Sequence, residues 1–303
     1  MFKWRKGKNF LIIAAFVFLA LLTTGAFGCA DPDVDDTVVV EYQTWTESMI
    51  LGNMATVLLE ENTDLNIETV ELESFAIEWQ AMKEGEIDVF ISYVGTPYMR
   101  VLGDTGLRDP DEIYDYVKQE LEEQFDLITL DRIGFYNNYD LAVKPEVVEE
   151  YGLENFSDLA EVSEELVIAA DVNFLDEPAA YPNLKEHYGM EFKEVKTVGI
   201  TLKYPTIAAC EADLVNAYTT DAQIHQLGLA ILEDDKHAFP QYDTVPFVRG
   251  EVLDRHPEIA DVLNALEISI EEMQELNYRL EVEEEYVEDI ARDFLIQKGL
   301  IDG

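Results

Sequence analysis

The chain is predicted to fold as two α/β lobes with a cleft between them. From residue 38 the hydrophobic pattern alternates strand, helix, strand, helix, strand. That order calls for a parallel sheet covered by helices. A second strand–helix series starts at Leu166. Beyond its N-terminal segment the chain has about 274 residues, enough for two lobes each with its own core.

The elements follow in order. Val38, Val39 and Val40 form a buried strand. Over residues 46–60, Met49, Ile50, Met54, Val57, Leu58 and Leu59 fall largely on one helical face, with Thr46 as N-cap. Residues 65–72 alternate as a strand, 75–85 form a helix ended by Gly85, and 87–92 form the third strand. A helix over 111–124 follows; 126–133 and 139–143 are extended; 145–151 and 156–160 are short helices. The second series starts with a strand at 166–170 and runs through 213–217 and 223–229. Helices over 257–266, 270–280 and 287–298 close the chain, and the acidic run 281–289 reads as a solvated helix face. Ligands of such sheets bind beyond the carboxyl ends of the strands.

The N-terminus reads as an export signal. Lys3, Arg5, Lys6 and Lys8 precede an apolar run from Phe10 to Leu22, closed by Gly25-Ala26-Phe27-Gly28-Cys29. The run is too short to span a bilayer of roughly 30 Å. Cys29 is the expected lipidation site, with cleavage after Ala30 to a free protein as the alternative. Residues 1–28 are then a signal peptide and 29–37 a lipidated tether. Lobe 1 is assigned to 38–135 with 243–303, and lobe 2 to 136–242. The protein is expected outside the cytoplasm, anchored to the outer face of the membrane or periplasmic, and monomeric.

Removing the signal leaves 16 basic residues against 64 acids, a net charge of −48. Nucleic acid is excluded as a partner by charge alone. An apolar share of 48% and an aromatic share of 11% argue for a folded chain with an acidic surface of the kind suited to high salt. With Cys29 assigned to lipid, Cys210 is unpaired and expected to be a small buried hydrophobe. His187, His225, His237 and His256 show no metal-ligand spacing, and no nucleophile elbow, Walker loop or dinucleotide fingerprint occurs. A binder is favoured over an enzyme, and neither metal nor cofactor is called for.

Several motifs carry a resemblance. They are Trp45-Thr46-Glu47-Ser48-Met49-Ile50, Gly85-Glu86-Ile87-Asp88-Val89-Phe90-Ile91-Ser92-Tyr93-Val94-Gly95-Thr96, Asn137-Asn138-Tyr139-Asp140, Asn216-Ala217-Tyr218-Thr219-Thr220-Asp221, Leu232-Glu233-Asp234-Asp235-Lys236 and Glu272-Met273-Gln274-Glu275-Leu276-Asn277. Across the whole mature chain the sequence resembles the substrate-binding lipoproteins of osmoprotectant ABC importers, the glycine betaine/carnitine/choline group. The resemblance implies a type II periplasmic-binding-protein-like fold closing on a quaternary ammonium ion, with an ABC permease subunit as membrane partner. It implies a cage formed by Tyr93, Tyr139, Tyr218 and Tyr242. Aromatic faces suit such a cation, which offers no conventional N–H donor.

The departures from the family bear on the ligand. Where betaine-binding relatives carry basic side chains, this chain has Gln43 and Glu177. Ser48 stands in place of a glutamine. A solute carboxylate facing Glu177 without a cationic partner is disfavoured. Choline or a similar cation is therefore expected over glycine betaine. Asn137 belongs to the same site, and Thr96 is expected to hydrogen-bond the polar end of the ligand. Lys203 and Arg249 are alternative carboxylate partners. An exported enzyme or a surface sensor on the same scaffold is the alternative function.

Overall fold

The computed structural model describes residues 37–303 apart from Asp104, residues 177–179 and Pro240. The signal segment, Cys29 and Glu177 lie outside the described residues. Ten strands are described: β1 (Thr37–Gln43), β2 (Asn66–Leu72), β3 (Val89–Tyr93), β4 (Leu127–Thr129), β5 (Tyr139–Val143), β6 (Val167–Asp171), β7 (Glu194–Val198), β8 (Leu214–Tyr218), β9 (Ala230–Ile231) and β10 (Thr244–Arg249). They form two five-stranded sheets, ordered β2-β1-β3-β10-β4 and β7-β6-β8-β5-β9. The chain enters the second sheet between β4 and β5 and returns between β9 and β10. Tyr136 and Asp243, one on each crossing segment, pair as an isolated antiparallel bridge.

The opening β-α-β-α-β series gives the expected parallel core, with β1 parallel to both β2 and β3. The returning strand β10 runs antiparallel between β3 and β4. In the second sheet β5 is likewise antiparallel to β8, whereas β6 is parallel to β7 and β8. These two antiparallel strands adjoin the crossings, where the chain changes sheet and direction together.

Each sheet is covered on both faces, which explains why its inner strands are apolar throughout. Helix α1 (Thr46–Asn62) and the closing helices pack Ile50, Met54, Leu58, Leu263, Met273 and Phe294 against Val38 and Val40. On the opposite face, helix α2 (Phe75–Glu84) and the helix Pro110–Phe125 pack against Phe90 and Phe247. Each large apolar side chain so buried contributes about 1.5–3 kcal/mol. The second sheet has its own two layers, built around Phe156, Phe174 and Leu184 on one face and Ile207 and Ile224 on the other.

Local signals were mostly sound, with specific corrections. Gly85 ends α2 in the left-handed conformation at φ 72°. The N-cap of α1 is Trp45, one residue before Thr46, and it makes no side-chain capping bond. The extended stretch 126–133 contains strand only at β4, because Asp126 is left-handed and closes the preceding helix. Cys210 is exposed, not buried; at φ 58° it sits in the turn after the helix Lys203–Ala208 and points away from the core. The acidic run 281–289 is not one helix face: Ile270–Glu281 stops there and Val287–Lys298 begins.

The helix Ile270–Glu281 starts with a reciprocal capping box between Ser269 and Glu272, and Lys298 bonds Glu272 at 2.8 Å. Replacing Ser269 with Ala is expected to cost about 1 kcal/mol, read by chemical denaturation.

Candidate functional site

The C-terminal ends of β1, β3 and β8 point toward the two crossing segments. Beyond β1 come Trp45, Thr46 and Glu47; beyond β3, Gly95 and Thr96; beyond β8, Thr219, Thr220 and Asp221. Beside the ends of β1 and β8 lies a cavity of about 170 Å³ lined by Trp45, Thr46, Glu47, Asn137, Tyr218, Thr220, Asp221, Asn277 and Glu281. Its walls therefore come from both sheets' units, from a crossing segment and from the helix Ile270–Glu281.

Glu47 organises this junction. It is fully buried, and its carboxylate accepts from the Tyr93 hydroxyl and from Asn277 Nδ2 at 3.0 Å. Burial pushes its carboxyl above the ordinary range, while hydrogen bonds from Tyr93, Thr220, Asn277 and Asn137 pull it back. Burial and the adjacent Glu47 push the Tyr93 phenol well up, so it stays a neutral donor. Asn277 Nδ2 also donates to the Thr220 carbonyl at 2.8 Å, and Gln274 Nε2 to the Thr219 carbonyl at 2.7 Å. One helix thus ties the first lobe to the loop after β8.

The donor inventory settles the amide orientations, since Asn277 Nδ2 faces two acceptors. Its Oδ1 is then buried without a partner among the described residues, as is Asn137 Oδ1. No Lys or Arg among the described residues lines the cavity. What remains is two aromatic rings, three carboxyl groups and orphaned acceptors, a lining suited to a cation that also donates a hydrogen bond.

The expected site residues divide. Tyr139 and Tyr218 are cross-strand neighbours, with rings stacked at 5.0 Å between centroids. Tyr218 borders the cavity, and Tyr93 lies 5.9 Å from the Trp45 ring. Asn137 lines the cavity and donates to the Tyr93 hydroxyl at 3.4 Å. Tyr242 packs in the layer beneath Gly95, where a Cβ would run into its ring. Gln43 and Ser48 do not line the cavity: Gln43 donates its side-chain amide to Glu78, and the Ser48 hydroxyl accepts from the Gln43 N–H at 2.8 Å. Thr96, on the short helical turn Gly95–Pro97, does not line it either.

Neither alternative carboxylate partner is among the residues lining this cavity. Arg249 pairs with Asp88 at 3.0 Å and with Glu251, against Gly85. Lys203 is buried and pairs with Asp221 at 3.1 Å, its ammonium 5.8 Å from the Tyr218 ring. It lines a separate groove of about 600 Å³ in the second lobe, on which Tyr218 also borders. Trp45, Glu47, Asp221 and Asn277 all stood in motifs quoted above but had no role assigned, because nothing local reveals that the ends of four elements meet.

The comparisons with known proteins agree with this architecture. The family model described as the substrate binding domain of an ABC-type glycine betaine transport system matches residues 36–297. A carnitine transport binding protein of Listeria monocytogenes is 33% identical over 302 residues, covering 96% of this chain and 98% of that protein. A glycine-betaine-binding protein of Pseudomonas aeruginosa is 29% identical, covering 94% of each. A crystal structure titled glycine betaine/carnitine/choline ABC transporter superposes with a TM-score of 0.82 at 30% identity, covering 88% of this chain and 100% of that one. The two sheets are accordingly the two lobes of a periplasmic-binding-protein fold. The chain belongs to the substrate-binding domains of ABC-type glycine betaine transport systems, a family of solute receptors for importers and not of enzymes.

Proposed function

We propose that this receptor captures a quaternary ammonium cation bearing a hydroxyl, choline being the simplest, and hands it to an ABC permease from outside the membrane. The observation that carries this reading is the lining of the junction cavity: aromatic rings and acceptors, with no basic side chain among the described residues. A ring face attracts such a cation by about 0.5–2 kcal/mol. Trp45 and Tyr218 border the cavity, and Tyr93 and Tyr139 each lie against one of those rings. Closure of the lobes completes the cage, with Tyr242, the last residue assigned to lobe 2, held against the Gly95 turn of lobe 1. The orphaned oxygens of Asn137 and Asn277 accept the solute hydroxyl. Ligand-driven closure needs only tighter binding to the closed form, with the paired crossing segments as hinge and lobe boundaries at 38–135 with 243–303 and at 136–242. Lipid at Cys29 would keep a monomeric receptor at the membrane surface.

Relatives named for carnitine and glycine betaine take solutes that end in a carboxylate. Here that carboxylate would meet Glu47 and Glu281, and the Lys203 ammonium is already neutralised by Asp221. Calorimetric titration of the purified protein is expected to give choline at least about tenfold tighter binding than glycine betaine. Tighter binding of glycine betaine would refute the preference.

A further inference from the structure

Two acids are buried on β1 and α2, and β1 ends two residues before the Trp45 wall of this site. Glu41 sits on β1 with Val39 and Gln43 on the face covered by α2, and its neighbours in register are Val70 on β2 and Phe90 on β3. Glu78 comes down from α2. The two residues are 2% and 1% exposed, and Oε1 of each is buried without a partner among the described residues. Glu78 accepts from the Gln43 side-chain amide, and Gln43 stands two residues before Trp45, a wall of the cavity.

Two ionised carboxylates cannot share an apolar layer without a cation. Among the described residues the neighbouring charges supply none. Glu68, Glu71 and Glu73 on and after β2 are exposed, as are Lys83 and Glu84 at the far end of α2. Asp88 and Arg249 are paired with each other at 3.0 Å. Burial pushes Glu78 up to about 7 and Glu41 up to about 9, the latter raised further by Glu78 itself.

We propose that Glu41 and Glu78 are both held protonated between β1 and α2, that Glu78 is the positioning residue for Gln43, two residues before the Trp45 wall, and that losing these protons loosens α2 and weakens solute capture. The capture half rests on the functional reading above; the proton half does not. Both carboxyls hold protons in the folded state that the unfolded chain releases near the ordinary value of 4.5. Their contribution to stability is therefore full below that value and is lost as pH rises through about 7 toward about 9.

The test compares the wild-type protein with Glu41→Gln and Glu78→Gln, by thermal melting and choline titration from mildly acidic conditions to pH about 9. The wild type is expected to lose melting temperature across the alkaline range, with choline affinity falling roughly three- to tenfold. In Glu41→Gln a neutral amide replaces the protonated carboxyl while Gln43 keeps its acceptor, so both slopes flatten. Glu78→Gln also flattens the melting slope and preserves an oxygen for Gln43. Wild-type slopes in both variants overturn the proposal. A melting slope flattened by Glu41→Gln in a protein that binds no choline supports the proton pair and refutes the functional reading.

Discussion

Tyr218→Ala is expected to lower choline affinity about tenfold or more, a loss of at least roughly 1.4 kcal/mol. Tyr218 borders the junction cavity while its ring stacks on Tyr139. Truncation therefore removes one ring from the site and the support of a second. The backbone does not depend on that ring, since the Tyr218 N–H is held by Asp221 at 3.1 Å. The variant should fold, and its defect should appear in binding and not in melting. Tyr218→Phe keeps the π face and gives up only a hydroxyl contact to Tyr139, so affinity should stay within a few-fold. Equal losses in the two variants would mean that the hydroxyl, not the ring, does the binding.

Glu47→Ala should have the larger effect on folding. The carboxylate holds the Tyr93 hydroxyl and Asn277 Nδ2 at a fully buried junction. Removing it strands donors at about 1–3 kcal/mol each, or roughly 2–6 kcal/mol in all. For a chain of this size that corresponds to a melting temperature lower by on the order of 10 °C. Asn277 would keep the Thr220 carbonyl but lose its anchor in the first lobe. Glu47→Gln retains an acceptor oxygen and should fall between the wild type and Ala. A melting curve unchanged in Glu47→Ala would show that the network adds nothing to stability.

What was legible in the sequence follows from the range of each signal. The parallel strands β1 to β3 and their helices were readable because periodicity and the Gly85 stop act over a few residues. β10 is as apolar as any strand, but its place between β3 and β4 depends on a return crossing more than a hundred residues after β4. Cys210 misled because a short apolar neighbourhood does not reveal a left-handed turn at its end. At the site, Tyr218 and Asn137 were singled out and do border the cavity. Gln43 and Ser48 were singled out as ligand contacts, yet their side chains face Glu78 and the backbone. Glu47 was passed over because one acid among 64 carries no signal until four hydrogen-bond donors surround it.

A crystal structure of the protein grown with choline tests the junction site most directly. The quaternary nitrogen should lie within about 6 Å of the Trp45 and Tyr218 ring centroids, its hydroxyl directed at Asn137 or Asn277. Choline seated instead in the second-lobe groove beside Lys203, with the Trp45 wall bare, would contradict it.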